Sequence, residues 1–196
     1  MRHFILLATT LFFFASCNNT SKQPNAQSIP QREGIQWGTV QLGERNDFNE
    51  SEEFTITFTY ADGTIDSMLC YLPYPMTMED VERMEIGRVT EDDINFDGIP
   101  DVQFFLGYEN IYGNDTYEAF VWNKEKGGFE NVEVFPGIYA PEIVQDSQYI
   151  LGTHREWLEG VEYLDFQKYR WIDKVLTLVD SWHEEIDTNE EESSNY

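Results

Sequence analysis

Nine consecutive residues, Asp93-Ile94-Asn95-Phe96-Asp97-Gly98-Ile99-Pro100-Asp101, carry the most specific chemistry in the chain. They set carboxylate or amide oxygens at loop positions 1, 3, 5 and 9, with glycine at position 6. Calcium takes about six to eight hard oxygen ligands, and alternate residues of a tightly curved loop point inward to supply them. Gly98 tolerates the sharp turn that brings the ninth residue back toward the ion. Ile99 would add its backbone carbonyl, so Asp93, Asn95, Asp97, Ile99 and Asp101 are the candidate Ca²⁺ ligands. The competing reading is an Asx-rich turn whose side chains satisfy backbone N–H groups. Either way the acidic side chains, with Glu91 and Asp92 just outside, repel one another unless a cation or a hydrogen-bond network neutralises them.

The loop is not a helical EF-hand. Position 12 is Phe104 in place of a bidentate glutamate, and Val102 to Leu106 reads as a buried strand. Losing that ligand points to a Kd of roughly 10⁻⁴ to 10⁻³ M, the range of extracellular modules, and hence to a structural ion. A partial repeat, Asp62-Gly63-Thr64-Ile65-Asp66, has Tyr60 where an upstream ligand is needed, and reads as a hairpin.

Other reactive side chains are few. Beyond residue 17 the histidines are His154 and His183, in neither a His-Glu-x-x-His pattern nor company that suggests a nucleophile. Gly-x-Ser-x-Gly elbows and phosphate-cradling glycine loops are absent from the sequence, and His183-Glu184-Glu185 reads as a solvated acidic run. Paired carboxylates of a glycosidase meet only in the fold, so spacing gives them no support, and the chain reads as a non-enzyme. Cys70, between Leu69 and Tyr71, reads as a small buried hydrophobe, with no nearby cation to lower its pKa.

The elements that must position the loop are strands. Phe54-Thr-Ile-Thr-Phe-Thr-Tyr60 alternates with the two-residue period of a half-buried strand, and Asp62-Gly63 joins it to Ile65–Leu72 as a hairpin. Further strands are expected at Ile35–Leu42, Ile86–Val89, Asp101–Tyr108, Thr116–Asn123, Phe129–Phe135, Tyr149–His154, Val161–Trp171 and Val175–Trp182. Turns are expected at Glu125–Gly128 and Trp171–Lys174, and helical spacing appears only over Met78–Met84. The fold class is therefore all-β, an antiparallel sandwich of about eight to ten short strands. A small propeller-like or partly open barrel uses the same signals.

Composition bounds the rest. Of 196 residues, 37 are Asp or Glu against 12 Lys or Arg, a formal net charge of −25, which excludes nucleic acid as a partner. Fourteen Phe, 11 Tyr and 5 Trp exclude a disordered acidic segment and demand a core. Residues 1–16 read as a secretory signal: Arg2, then an apolar stretch from Phe4 to Phe14 too short to span a bilayer. Residues 17–34 read as Cys17 and a flexible polar tether, 35–183 as the all-β domain, and 184–196 as a disordered acidic tail.

Phe14-Ala15-Ser16-Cys17 resembles the lipobox of bacterial lipoproteins, with Phe14 where an aliphatic residue is usual. The resemblance implies lipidation at Cys17 and a body held at the bacterial cell envelope, periplasmic or outer-membrane, by a lipid anchor. The calcium loop resembles the D-x-N-x-D-G-x-x-D loops of FG-GAP and related repeats. Together with Tyr117–Asn123 and Gly127-Gly128-Phe129-Glu130 it is similar to a family of secreted bacterial proteins that includes calcium-binding inhibitors of lysozyme-type peptidoglycan hydrolases. That resemblance covers roughly residues 88 to 182 and implies an all-β fold with a structural calcium loop. Its implied partner is a cationic secreted hydrolase, to which an acidic body is attracted at long range. A glycan or another surface protein is the alternative. Tyr108, Glu109, Tyr112 and Asp115 combine aromatic anchors with carboxylates and are the candidate partner contacts.

Overall fold

Alternating side chains build the first sheet. In the computed structural model, which describes residues 31–108 and 113–186, Phe54, Ile56 and Phe58 of β2 (Ser51–Thr59) are at most 2% exposed. Thr55, Thr57 and Thr59 between them stay half-exposed on the other face. Burying each large apolar side chain favours the fold by about 1.5–3 kcal/mol, which fixes the strand's register by fixing its face. β1 (Gln36–Leu42) and β3 (Ile65–Met76) flank β2. In the Asp62-Gly63 turn, Thr64 N–H donates to the Asp62 carboxylate at 2.9 Å. One helix follows, α1 (Met78–Met84), opened by a reciprocal capping box between Thr77 and Asp80.

The central sheet has the order β4-β5-β6-β7, with β4 at Val89–Asp92, β5 at Asp101–Tyr108, β6 at Asp115–Asn123 and β7 at Gly128–Asn131. Seven of the eight residues of β5 are buried, because both faces of this sheet are covered. On one side Val102, Phe104, Phe120 and Trp122 join Phe54, Ile56 and Phe58 in the larger core. On the other, Ala119 meets Ile94, Phe135, Ile138, Ile150 and Leu176. Those last two residues belong to the third sheet, ordered β11-β10-β9-β8, with β8 at Glu142–Val144, β9 at Tyr149–Leu158, β10 at Val161–Ile172 and β11 at Val175–Glu185. Among the described residues all pairings are antiparallel and no sheet closes into a barrel. The molecule is an all-β sandwich extended by a third sheet, with its buried strand β5 leaving directly from the 93–101 loop.

Several boundaries depart from the sequence reading. The strand expected at Ile86–Val89 runs instead over Val89–Asp92: Glu85 and Gly87 have φ of 58° and 78°, which bends the chain so that Gly87 and Arg88 both bond to Phe105, at 2.7 and 3.0 Å, before the regular ladder starts at Val89. The segment expected to run to Phe135 pairs only to Asn131, and Phe135-Pro136-Gly137 forms a 3₁₀ turn, since Pro136 has no N–H for a ladder. β8 had no signal in the sequence beyond two β-branched residues, Ile143 and Val144. The acidic run expected as a tail from Glu184 begins as strand, with Glu184 opposite Leu164 and Glu185 opposite Tyr163. At the other end, Arg32 lies within the expected tether yet docks on the body, donating to Pro100 O at 2.9 Å and pairing with Glu91 at 3.0 Å. The signal segment, Cys17 and residues 187–196 lie outside the described residues. Among the described residues no helix is long and apolar enough to cross a membrane.

Candidate metal centre

The 93–101 loop is folded around its own acidic side chains. Phe96 and Gly98 take φ of 60° and 83°, two left-handed steps that curl the chain so that its N–H groups face inward. Asp93 accepts from Asp97 N–H at 2.9 Å on one oxygen and from Gly98 N–H at 2.8 Å on the other. Asn95 Oδ1 also accepts from Asp97 N–H, at 3.0 Å, and Asp97 Oδ1 accepts from Ile99 N–H at 2.9 Å. Asp101 closes the ring from the far end: its Oδ2 accepts from Ile94 and Asn95 N–H at 3.0 and 3.1 Å, and its Oδ1 from Trp122 N–H at 2.7 Å.

Neighbouring elements hold the loop in place. Ile94 is fully buried in the core between the second and third sheets, and Trp171 of β10 donates its indole N–H to Ile94 O at 2.8 Å. Gln145 reaches Asp92 Oδ1 at 2.7 Å and Asp93 O at 3.1 Å. Asp97 pairs with Lys124 at 3.6 Å, and both line a cavity of about 450 Å³ together with Asn95, Trp122 and Trp171. The sequence reading missed Trp122, Lys124, Gln145 and Trp171 as parts of the site; Trp122 and Trp171 showed only as strand residues, and Lys124 in a turn and Gln145 in a 3₁₀ turn gave no signal.

Burial pushes the fully enclosed Asp101 carboxyl up to about 6, and the nearby charge of Asp97 pushes the same way. The three N–H groups pull it down but do not restore the ordinary value. Burial thus disfavours the charged form of Asp101 even with three N–H donors on its carboxylate, while Asp97 has Lys124 as an ion-pair partner at 3.6 Å.

The donor set fits calcium by type. It is all hard oxygen, and both oxygens of Asp93, together with Asn95 Oδ1 and Asp101 Oδ1, each accept one of these hydrogen bonds and retain a free lone pair. Asp93, Asn95, Asp97 and Asp101 lie in one loop. Their carboxylates are not drawn to a single centre, however: among the described residues one set of His, Cys, Asp or Glu places its ligand atoms within 4.8 Å of one another, and it lies on β9 and β10. The hydrogen-bond network foreseen as the alternative to a cation is therefore present.

The expected contact residues divide. Tyr108 is 42% exposed at the end of β5, opposite Asp115, whose carboxylate accepts from Tyr117 OH at 3.3 Å. Glu109 and Tyr112 lie outside the described residues. Buried Asn114 clamps the base of that loop to β9, donating to Arg155 O at 3.1 Å and accepting from Arg155 N–H at 3.0 Å. Cys70 is buried and free, and burial together with the charge of Glu118 raises its thiol far above the usual value.

No protein-family profile matches the chain, and no curated protein matches it. A solved structure described as that of a Xanthomonas Type IV secretion system related protein is similar at 12% identity, over 76% of this chain and 90% of that one, with a TM-score of 0.36.

Proposed function

We propose that this chain is an exported lipoprotein, tethered to the cell envelope through Cys17, whose all-β body is a binding module stiffened by a structural calcium ion in the 93–101 loop. The carrying observation is Asp101. It is fully buried, bonded to three backbone N–H groups from the loop and from β6, and still held near 6 by uncompensated burial. Asp93, Asn95, Asp97, the Ile99 carbonyl and Asp101 would hold the ion, whose charge would offset the carboxylates that Lys124 alone does not balance. By neutralising them it would lock the entry to β5, which supplies Val102, Phe104, Phe105 and Leu106 to the larger core and pairs with β6, the strand that both cores share.

The partner this reading favours is a cationic peptidoglycan hydrolase of the lysozyme type, bound and inhibited at the envelope. A formal charge of −25 supports it, because long-range attraction accelerates encounter with a basic protein. Exposed Tyr108, beside a loop whose base Asn114 clamps to β9, supports it as a contact anchor. A turbidity assay on cell walls tests the role. Stoichiometric protein in millimolar Ca²⁺ should protect the walls from a lysozyme-type enzyme, and absence of protection at excess, across a panel of such enzymes, contradicts it.

A further inference from the structure

We propose a second metal site, on the third sheet and independent of the calcium loop: a divalent transition-metal centre of the zinc class formed by His154, Glu156 and Asp165 and completed by His183.

The argument begins with register. In a strand, residues two apart share a face, so His154 and Glu156 of β9 project together. The antiparallel ladder sets Asp165 of β10 opposite His154, and Tyr163 opposite Glu156. On the other side of β10 the ladder sets His183 of β11 opposite Asp165. Two imidazoles thus flank one carboxylate in a single row across three adjacent strands, with Glu156 one row further along. Ligand atoms of His154, Glu156 and Asp165 all lie within 4.8 Å of one another.

The surroundings are those of a site. The same sheet face is core at its other end, where Ile150 of β9 and Leu176 of β11 are buried and Tyr169 and Trp171 pack against them. The ligands replace apolar residues where that core ends, and Glu156, Leu158, Val161, Tyr163, Asp165 and His183 line a half-open depression there. Both rings are braced: Tyr139 stacks on His154 with centroids 4.7 Å apart, and Tyr163 meets His183 edge-on at 5.6 Å. Glu156 and Asp165 are close enough to share a hydrogen bond. Among the described residues neither carboxylate forms an ion pair with Lys or Arg; Arg155 pairs instead with Glu162.

Ligand type selects the ion. Two imidazoles with carboxylates suit zinc and its first-row neighbours, whereas calcium and magnesium prefer all-oxygen shells. The two metal sites of the molecule therefore take ions of different classes. A bound metal would join β9, β10 and β11 at the end of the sheet that lies beyond the core.

Titration of tag-free full-length protein carrying Cys17→Ser with Co²⁺ tests the site. The expected result is a visible d–d spectrum of low-coordinate Co²⁺ that Zn²⁺ displaces and millimolar Ca²⁺ leaves intact. His154→Gln and Asp165→Asn, each with unchanged far-ultraviolet circular dichroism, should weaken Co²⁺ binding by about tenfold or more, and Asp97→Asn should leave it unchanged. His183→Ala should also weaken it; unchanged affinity in that variant overturns the four-ligand assignment. No d–d spectrum in the parent protein, or equal affinity in the parent, His154→Gln and Asp165→Asn proteins, overturns the site.

Discussion

Asp101 Oδ1 accepts a 2.7 Å hydrogen bond from the backbone N–H of Trp122, so the last acidic residue of the 93–101 loop is fastened to the neighbouring strand of the central sheet. Its other oxygen holds Ile94 and Asn95 N–H, and the side chain is wholly shielded from water. Loop and sheet therefore share one carboxylate. Replacing Asp101 with Asn turns an amide NH₂ toward N–H donors and leaves them partly unsatisfied. Chemical denaturation should show a loss of about 2–3 kcal/mol for Asp101→Asn, and a variant as stable as the parent would contradict this role.

Trp171 couples the third sheet to the same loop through its indole N–H and Ile94 O, 2.8 Å apart. Trp171→Phe keeps most of the packing and removes only the donor. Stability should fall by about 1–2 kcal/mol, and calcium affinity should fall with it because the loop loses its support. A stability loss with calcium affinity untouched would show that the bond holds the core and not the loop.

Glu118 predicts a pH dependence. Burial raises its pKa above the ordinary carboxylate value, outweighing the hydrogen bonds from Asn131 and from the Tyr71 backbone. A folded-state pKa above the unfolded one means that the neutral form is favoured on folding. The group's contribution is complete below the unfolded value near 4.5 and is lost as pH rises through the higher folded value. The stability difference between Glu118→Gln and the parent should thus shift in favour of the variant as pH is raised from 4 to neutrality, a trend that denaturation at several pH values would read. A difference constant with pH would refute it.

Cys70 should be silent toward thiol reagents in the folded protein. It is fully buried, and burial with the Glu118 charge disfavours its thiolate. In a Cys17→Ser background, labelling should appear only with denaturant and track global unfolding. Fast labelling of the native protein would contradict the burial.

The strands of the sheets were legible wherever one face alone is buried. Phe54, Ile56 and Phe58 alternate with threonines because the first sheet has one wet face. β5 was legible for the opposite reason, a mostly apolar run, Val102 and Phe104 to Leu106, with both faces covered and only Gln103 breaking it. β8 was not, since three residues are too few to show a period. The loop was legible as spacing, from Asp93 to Asp101, but its supports at Trp122, Gln145 and Trp171 are set by tertiary packing that periodicity does not report.

The His154–Asp165–His183 row shows where such reading stops. The tight turn at Glu159-Gly160 sets Asp165 opposite His154, so that pairing could be counted from the sequence. An unbroken ladder from the Asp173-Lys174 turn would set Asp165 opposite Trp182 and send His183 to the other face. A register shift between Lys168 and Tyr169 moves the pairing by one residue and returns His183 to the row. Nothing in the composition of that stretch marks a bulge.

The account turns on whether the 93–101 loop binds calcium, and thermal unfolding of the full-length Cys17→Ser protein in chelator and in 10 mM Ca²⁺ (about 100 Kd) measures this directly. With a Kd of about 10⁻⁴ M, 10 mM Ca²⁺ stabilises by about 2.7 kcal/mol and raises Tm by roughly 5–10 °C. The rise should be abolished in an Asp93→Asn, Asp97→Asn double variant and retained in His154→Gln. A Tm that is the same in chelator and in calcium would contradict the central claim.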